Sequence, residues 1–149
     1  MRIADLSVMA LAALATFAAG SSAITAQPRR APSTAPLYPL SERDLRATRE
    51  MGCECSFRAG RADLARVIGN ELTIRTRAGR QVCRISDDQF SALSNGRGSA
   101  ACAGLRLSLR PTGRVTTHME SDSASGPAAL TVGQGRTRRT LAGVWGCAC

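Results

Sequence analysis

The chain has 149 residues and a formal net charge of +9, and all 20 of its basic residues are arginine. This length is sufficient for a single domain with a hydrophobic core of modest size. Aromatic residues make up only 3% of the chain, and this argues against nucleic-acid binding, which usually needs clustered basic side chains with stacking rings. A GC-rich genome would explain arginine in place of lysine, and attraction to other anionic partners is the functional explanation.

The first 26 residues have the layout of a secretory signal peptide. Arg2 precedes an apolar run over residues 8–19, and small residues then allow cleavage after Ala23 or Ala26. The run is shorter than the ~20 residues that a membrane-spanning helix needs, so we expect no membrane span after cleavage. The sequence therefore predicts a periplasmic or secreted protein.

The rest of the chain divides into a linker and one domain. Residues 27–40 hold four of the six prolines, which is typical of an extended linker. We expect a single β-rich, disulfide-stapled domain over residues 41–149. Ser41, with Asp44 three residues later, predicts a short peripheral helix that extends to about Thr48.

Alternating apolar and polar residues predict strands in the first half of the domain. Residues 53–57 place two sulfurs and a ring on one face. Residues 71–76 and 83–85 form a predicted hairpin around a glycine turn. A capping-box pattern that begins at Ser86 then predicts a helix of about two turns, closed by Asn95-Gly96.

Two more hairpins are predicted in the second half. Residues 105–109 alternate leucine with polar side chains, turn through Pro-Thr-Gly, and return over residues 115–119. A polar loop over residues 121–127 precedes the last hairpin, which turns at residues 133–135. The successive hairpins predict a mainly β fold, a small disulfide-stapled antiparallel sandwich or barrel with one or two short helices.

Two C-x-C pairs and two single cysteines are the most specific feature of the sequence. The Cα atoms of a C-x-C pair on a strand lie roughly 6.5 to 7 Å apart, too far for a comfortable disulfide within the pair. Two facing C-x-C strands would instead form two parallel bridges, and the single cysteines would pair with each other, although sequence alone does not choose the connectivity. The disulfide candidates are Cys53, Cys55, Cys83, Cys102, Cys147 and Cys149.

The alternative for the two C-x-C pairs is a metal site. Tetrahedral zinc ligation puts sulfurs about 3.8 Å apart, which an extended C-x-C does not provide. Export into an oxidising compartment also favours cystine. We therefore expect structural disulfides, with no metal and no cofactor.

The sequence contains no recognisable catalytic motif. His118 is the one histidine, and it is predicted on a strand near several serines without a nucleophile elbow. The glycine-rich residues 95–99 follow a helix, whereas a phosphate-binding loop follows a strand. We expect no enzymatic activity and a non-catalytic module that binds, or forms part of the structure of, the cell envelope.

Residues 123–126, Ser-Ala-Ser-Gly, lie before a predicted hairpin in a chain with an export signal and a final cysteine. These features resemble the periplasmic inhibitors of C-type lysozyme, small β-barrels that block the enzyme cleft with a Ser-Gly-x-x-Tyr loop. Ala129 stands at the tyrosine position, and Gln134 stands at the lysine of the family's later Lys-Gly element. The resemblance implies an alternative function as an inhibitor or modulator of another secreted protein.

The partner is expected to be an anionic envelope component or another exported protein. Function concentrates in loops on rigid scaffolds, so we expect contacts in the polar loop and on nearby arginine-bearing faces. The candidate contact residues are Ser123, Ser125, Gly126, Arg106, Arg110 and Arg114.

Overall fold

The computed structural model describes residues 37–47 and 51–149, so the predicted signal peptide and most of the predicted linker lie outside the described residues. The described part is mostly β, with helices α1 (Glu42–Arg46) and α2 (Asp87–Ser94). The strands are β1 (Glu54–Ala59), β2 (Ala62–Ile68), β3 (Glu71–Thr76), β4 (Gly79–Arg84), β5 (Gly98–Cys102), β6 (Leu105–Pro111), β7 (Thr116–His118), β8 (Ser123–Gln134) and β9 (Thr137–Ala148).

The strands form one antiparallel sheet that curls into a nearly closed barrel. Their order is β4-β3-β2-β1-β9-β8-β6-β5, and β7 pairs separately with β8. The predicted mainly β fold class is confirmed. Of the two predicted forms, sandwich and barrel, the structure has the barrel. Four hairpin turns lie at one end, which we call the turn end; α2 and the C-terminus lie at the other, which we call the helix end.

A disulfide joins the two edges of this sheet. Strands β4 and β5 are the first and last in the order and are not hydrogen-bonded neighbours, but Cys83 on β4 is bonded to Cys102 on β5 with their Cα atoms 5.4 Å apart. Exposed sheet edges invite pairing with other chains. The disulfide therefore closes the barrel between β4 and β5, the two strands that no backbone hydrogen-bond ladder joins.

The other two disulfides join β1 to β9 at the helix end. Cys55 lies directly opposite Cys147 in the ladder and is bonded to it, and Cys53 is bonded to Cys149. This is the parallel pairing that two facing C-x-C strands favour, and the prediction of structural disulfides is confirmed. All six sulfurs are used, so no thiolate remains for the alternative metal site.

Apolar side chains fill the barrel. The largest fully buried side chains are Phe57, Ile74, Val67, Val132, Thr73 and Cys55. The interior retains a cavity of only about 20 Å³ among the core side chains, which is about the room of one water. This barrel is a packed core and not an internal ligand chamber.

Both predicted helices are present, and both begin with a capping box. The Ser41 side chain accepts from the N–H of Asp44 at 3.2 Å, and the Ser86 side chain accepts from the N–H of Gln89 at 3.2 Å. In each case the third helical residue accepts in return from the backbone of the cap. Residue 48, the expected end of α1, lies outside the described residues.

Residues 37–40, placed at the end of the predicted linker, pack against the barrel. The pairing of β2 with β3 ends at Ala65 and Ile74, which leaves backbone carbonyls free beyond it. The N–H of Tyr38 donates to the carbonyl of Arg75 at 2.8 Å, and the N–H of Leu40 donates to that of Asp63 at 2.7 Å. The packed part of the chain therefore begins before residue 41.

The structure corrects the hairpin predicted over residues 105–119. Strand β6 pairs with β5 and β8, whereas β7 pairs with β8. Strand β5, Gly-Ser-Ala-Ala-Cys, was not predicted because small residues hide the apolar alternation. Its turn to β6 has positive φ at both Ala103 (51°) and Gly104 (76°), as a two-residue hairpin turn requires.

The predicted polar loop over residues 121–127 is wrong from Ser123 onward, because these residues form the first half of β8. Strand β9 pairs with all of them, and β7 pairs on the other side with Ser123–Ser125. Small side chains permit this close packing: a Cβ added at Gly126 would lie 3.0 Å from the carbonyl oxygen of Arg114. Strand β2 was also not predicted.

An ion pair with a buried carboxylate attaches α1 to the barrel. Asp44 is 5% exposed, and its Oδ2 accepts from Nη1 of Arg75 at 2.6 Å and from the hydroxyl of Ser41 at 2.7 Å. Burial alone would raise the pKa of Asp44, but the hydrogen bonds from Ser41 and the charge of Arg75 outweigh it, and the pKa lies below its ordinary value.

We expect Asp44→Asn to lower the free energy of unfolding by about 2 kcal/mol at pH 7, because a buried charged hydrogen bond is lost. A lowered folded-state pKa contributes stability above the unfolded pKa and loses it as the pH falls through the folded value. The difference between wild type and variant should therefore shrink below about pH 4. Urea titrations at several pH values measure this, and a difference independent of pH would contradict the assignment.

We expect Cys83→Ala/Cys102→Ala to lower the free energy of unfolding by about 3 kcal/mol, since this disulfide alone closes its loop. The matched variant Cys53→Ala/Cys149→Ala should lose less, because Cys55–Cys147 still closes nearly the same long loop. Equilibrium unfolding in urea without reductant compares the two. A larger loss in the matched variant would show that the edge-joining disulfide is not the critical one.

Candidate functional site

A row of four hydroxyl side chains crosses the outer face of the barrel. The register aligns Ser99 of β5 with Ser108 of β6, Ser108 with Thr131 of β8, and Thr131 with Thr140 of β9. We call this row the hydroxyl ladder. Its four strands span about 14 Å at the usual strand spacing. The Oγ1 atoms of Thr131 and Thr140 lie 2.9 Å apart in a hydrogen bond.

Arginines lie on both sides of this ladder. Arg106 and Arg138 both align with Gly133, which lies between them, and this row is about 7 Å from the ladder along the strands. Arg110, on the other side, is about 13 Å along β6 from Arg106. We call the three arginines and the hydroxyl ladder together the arginine face.

A shallow depression of about 610 Å³ lies over this face, and Arg106, Ser108, Thr131 and Arg138 line it. Because Gly133 has no side chain, the floor of the depression between the guanidinium groups of Arg106 and Arg138 is formed by backbone. Arginine supplies only hydrogen-bond donors, whereas Ser and Thr hydroxyls both donate and accept. The arrangement suits a ligand that carries anionic groups and hydroxyls.

The charge is distributed unevenly around the barrel. On the side of β1–β4, two arginines have carboxylate partners: Arg66 pairs with Glu54, and Arg75 pairs with Asp44. Strands β5, β6, β8 and β9 contain no Asp or Glu at all. Among the described residues, no ion pair or hydrogen bond engages the side chains of Arg106, Arg110 or Arg138. Unpaired charges of one sign on one face create an attractive potential for anions.

The predicted contact residues do not form one site. Arg106 and Arg110 lie on the arginine face. Ser123 and Ser125 are on β8 nearer the helix end, and six residues separate Ser125 from Thr131, about 20 Å along a strand. The remaining two candidates are apart from the face: Arg114 lies in the exposed connection between β6 and β7, and Gly126 pairs with Trp145.

The hydroxyl ladder and Arg138 were missed in the sequence. The alternation of Arg, Ser and Arg at positions 106, 108 and 110 was a visible signal. The ladder itself depends on a register across four strands, two of which were assigned to the wrong partner or not predicted.

His118 is exposed on β7. Of the neighbouring serines, Ser121 shares a hydrogen bond with Ser123 at 2.7 Å and donates to the carbonyl of His118 at 3.4 Å. These contacts engage the backbone of His118 and not its imidazole.

Comparisons with known proteins return no family model, no curated protein and no solved structure that matches this chain. Over residues 37–47 and 51–149, no helix is both long enough and apolar enough to cross a membrane.

Proposed function

We propose that this protein is an exported, non-catalytic envelope module that binds a polyanionic glycan on its arginine face. The observation that carries the proposal is the alignment of four hydroxyls across four adjacent strands, between arginines that have no carboxylate partner among the described residues. The three disulfides are compatible with a periplasmic or extracellular location.

A glycan suits this face better than a compact ligand does. The face is open, shallow and at least about 14 Å wide, so it offers many weak polar contacts and no deep pocket. The planar guanidinium fork binds carboxylate or sulfate through two hydrogen bonds. Hydroxyl side chains between the arginines would contact the neutral hydroxyls of the same sugar units.

The alternative of a protein inhibitor acting through residues 123–126 has weaker support. A blocking loop must project from its scaffold, but these residues belong to β8, pair with β9 throughout, and over Ser123–Ser125 also pair with β7. Their side chains are also half-buried.

We expect immobilised heparin, a sulfated glycan, to bind the disulfide-intact protein and to release it as salt is added. Arg106→Gln/Arg138→Gln should raise the Kd by roughly tenfold or more, since two charge-assisted contacts are lost. Thr131→Val/Thr140→Val should raise the Kd by a smaller factor at unchanged net charge. Surface plasmon resonance at two salt concentrations measures both effects.

The matched control is Arg58→Gln/Arg61→Gln, which removes the same charge at exposed positions in β1 and in the turn that follows it, outside the arginine face. Equal losses of heparin affinity in the two double variants would show that net charge alone attracts the glycan, and would contradict the proposal. Binding to vesicles of phosphatidylglycerol without binding to heparin or polygalacturonate would contradict it as well and would assign the face to a membrane surface.

A further inference from the structure

Arg139 occupies an inward-facing position of the barrel. It lies opposite Val132 on β8, and Val132 lies opposite Leu107 on β6; both are buried core residues. Two residues further along β9, Leu141 aligns with Leu130 in the next inward row. Because successive side chains of β9 point to opposite faces, the charge of Arg139 lies where the barrel otherwise has apolar side chains.

This inward arginine lies at the turn end, in an open cavity of about 570 Å³ that we call the mouth. Arg77, from the turn between β3 and β4, lines the same cavity. No carboxylate is among the described residues that line the mouth. No ion pair or hydrogen bond of the Arg139 side chain occurs within the described part of the chain, although Arg139 is half-buried. A partly desolvated charge without a partner favours binding of an anion.

The rest of the mouth combines an apolar floor and an aromatic ring with uncharged polar side chains at its rim, Thr76, Gln81, Gln134 and Thr137. Leu105 and Val132, 4% and 1% exposed, form its floor, and Tyr38 on its wall is 46% exposed. The peptide of Tyr38 is hydrogen-bonded to Arg75 of β3, so the segment that carries the ring is fixed at the mouth. An exposed tyrosine ring beside guanidinium groups provides a surface on which a flat apolar group can stack.

The depth of the mouth limits the size of its ligand. Below the floor, the interior retains only about 20 Å³, so a long acyl chain would have no space to enter. The volume of the mouth itself lies within the range of small-molecule sites. The ligand must therefore combine an anionic group with a compact apolar body.

We propose that the mouth is a second binding site, separate from the arginine face, for a small organic anion with an aromatic or branched apolar group. Arg77 and Arg139 bind the carboxylate, sulfonate or phosphate. Tyr38 and the floor contact the apolar body. The two sites lie on opposite sides of the β9 backbone, because the consecutive residues Arg138 and Arg139 point to opposite faces.

The test uses 8-anilinonaphthalene-1-sulfonate, an aromatic sulfonate whose fluorescence rises on binding, with the folded, disulfide-intact protein. One molecule should bind per chain. Arg139→Gln and Arg77→Gln should each raise its Kd about tenfold, the effect of one charge-assisted contact, and Tyr38→Ala should raise it severalfold. The uncharged analogue N-phenyl-1-naphthylamine should bind at least tenfold more weakly. Amide shifts in NMR spectra should concentrate at Ala78, Ala103 and Thr137.

The matched control is Arg138→Gln, which removes the same charge one residue away on the outer face. It should leave the Kd for the sulfonate within about twofold, whereas it should weaken heparin binding. No sulfonate binding by the wild type, unchanged binding in Arg139→Gln, or equal losses in Arg138→Gln and Arg139→Gln would each overturn the mouth proposal. Since heparin is measured separately, failure at the mouth does not affect the test of the arginine face.

Discussion

The register between β8 and β9 is the constraint on which the rest of the structure depends. The two strands pair over twelve positions, from Ser123 opposite Ala148 to Gln134 opposite Thr137. A slip of one residue would turn every side chain of one strand to the other face, exchanging Arg138 with Arg139 and breaking the hydroxyl ladder. The tight turn containing Gly135, at φ +58°, fixes the register at the turn end. The disulfide between Cys55 and Cys147 holds β9 against β1 at the helix end.

Close approach of the strands also depends on small residues along β9. A Cβ at Gly143 would lie 2.2 Å from the carbonyl oxygen of Arg58 and 2.6 Å from the ring of Phe57. A larger side chain there would push β9 away from β1 and displace Phe57, the largest fully buried side chain. The absence of a side chain at Gly143 therefore lets β9 pack closely against β1, where Phe57 and the paired disulfides lie. The other side of β9 stays in register with β8.

Local features were predictable from the sequence because a few adjacent residues determine them. The capping boxes at Ser41 and Ser86 and the spacing of the two C-x-C pairs belong to this group, since short-range hydrogen bonds and strand alternation define them. The arginine face was not predictable, because it combines residues from strands that are up to about 40 positions apart in the chain. Small side chains in β5 and in the first half of β8 concealed the strands that complete it, since burial of Ala, Ser and Gly leaves little apolar pattern.

The carboxylates that pair with arginines lie on one half of the barrel, and the arginines on the strands of the other half have no partner among the described residues. Glu54 and Asp44 neutralise arginines that hold α1 and β1–β3 together, so those charges serve the fold. No carboxylate lies on β5, β6, β8 or β9, and the core of these strands is held by leucine packing and by the disulfide to β4. Their arginines can therefore meet an external anion without first breaking an internal pair. Under the proposed function, the disulfides and the paired strands hold the backbone beneath these arginines in place, so an anion would order only side chains and the entropic cost of association would be low.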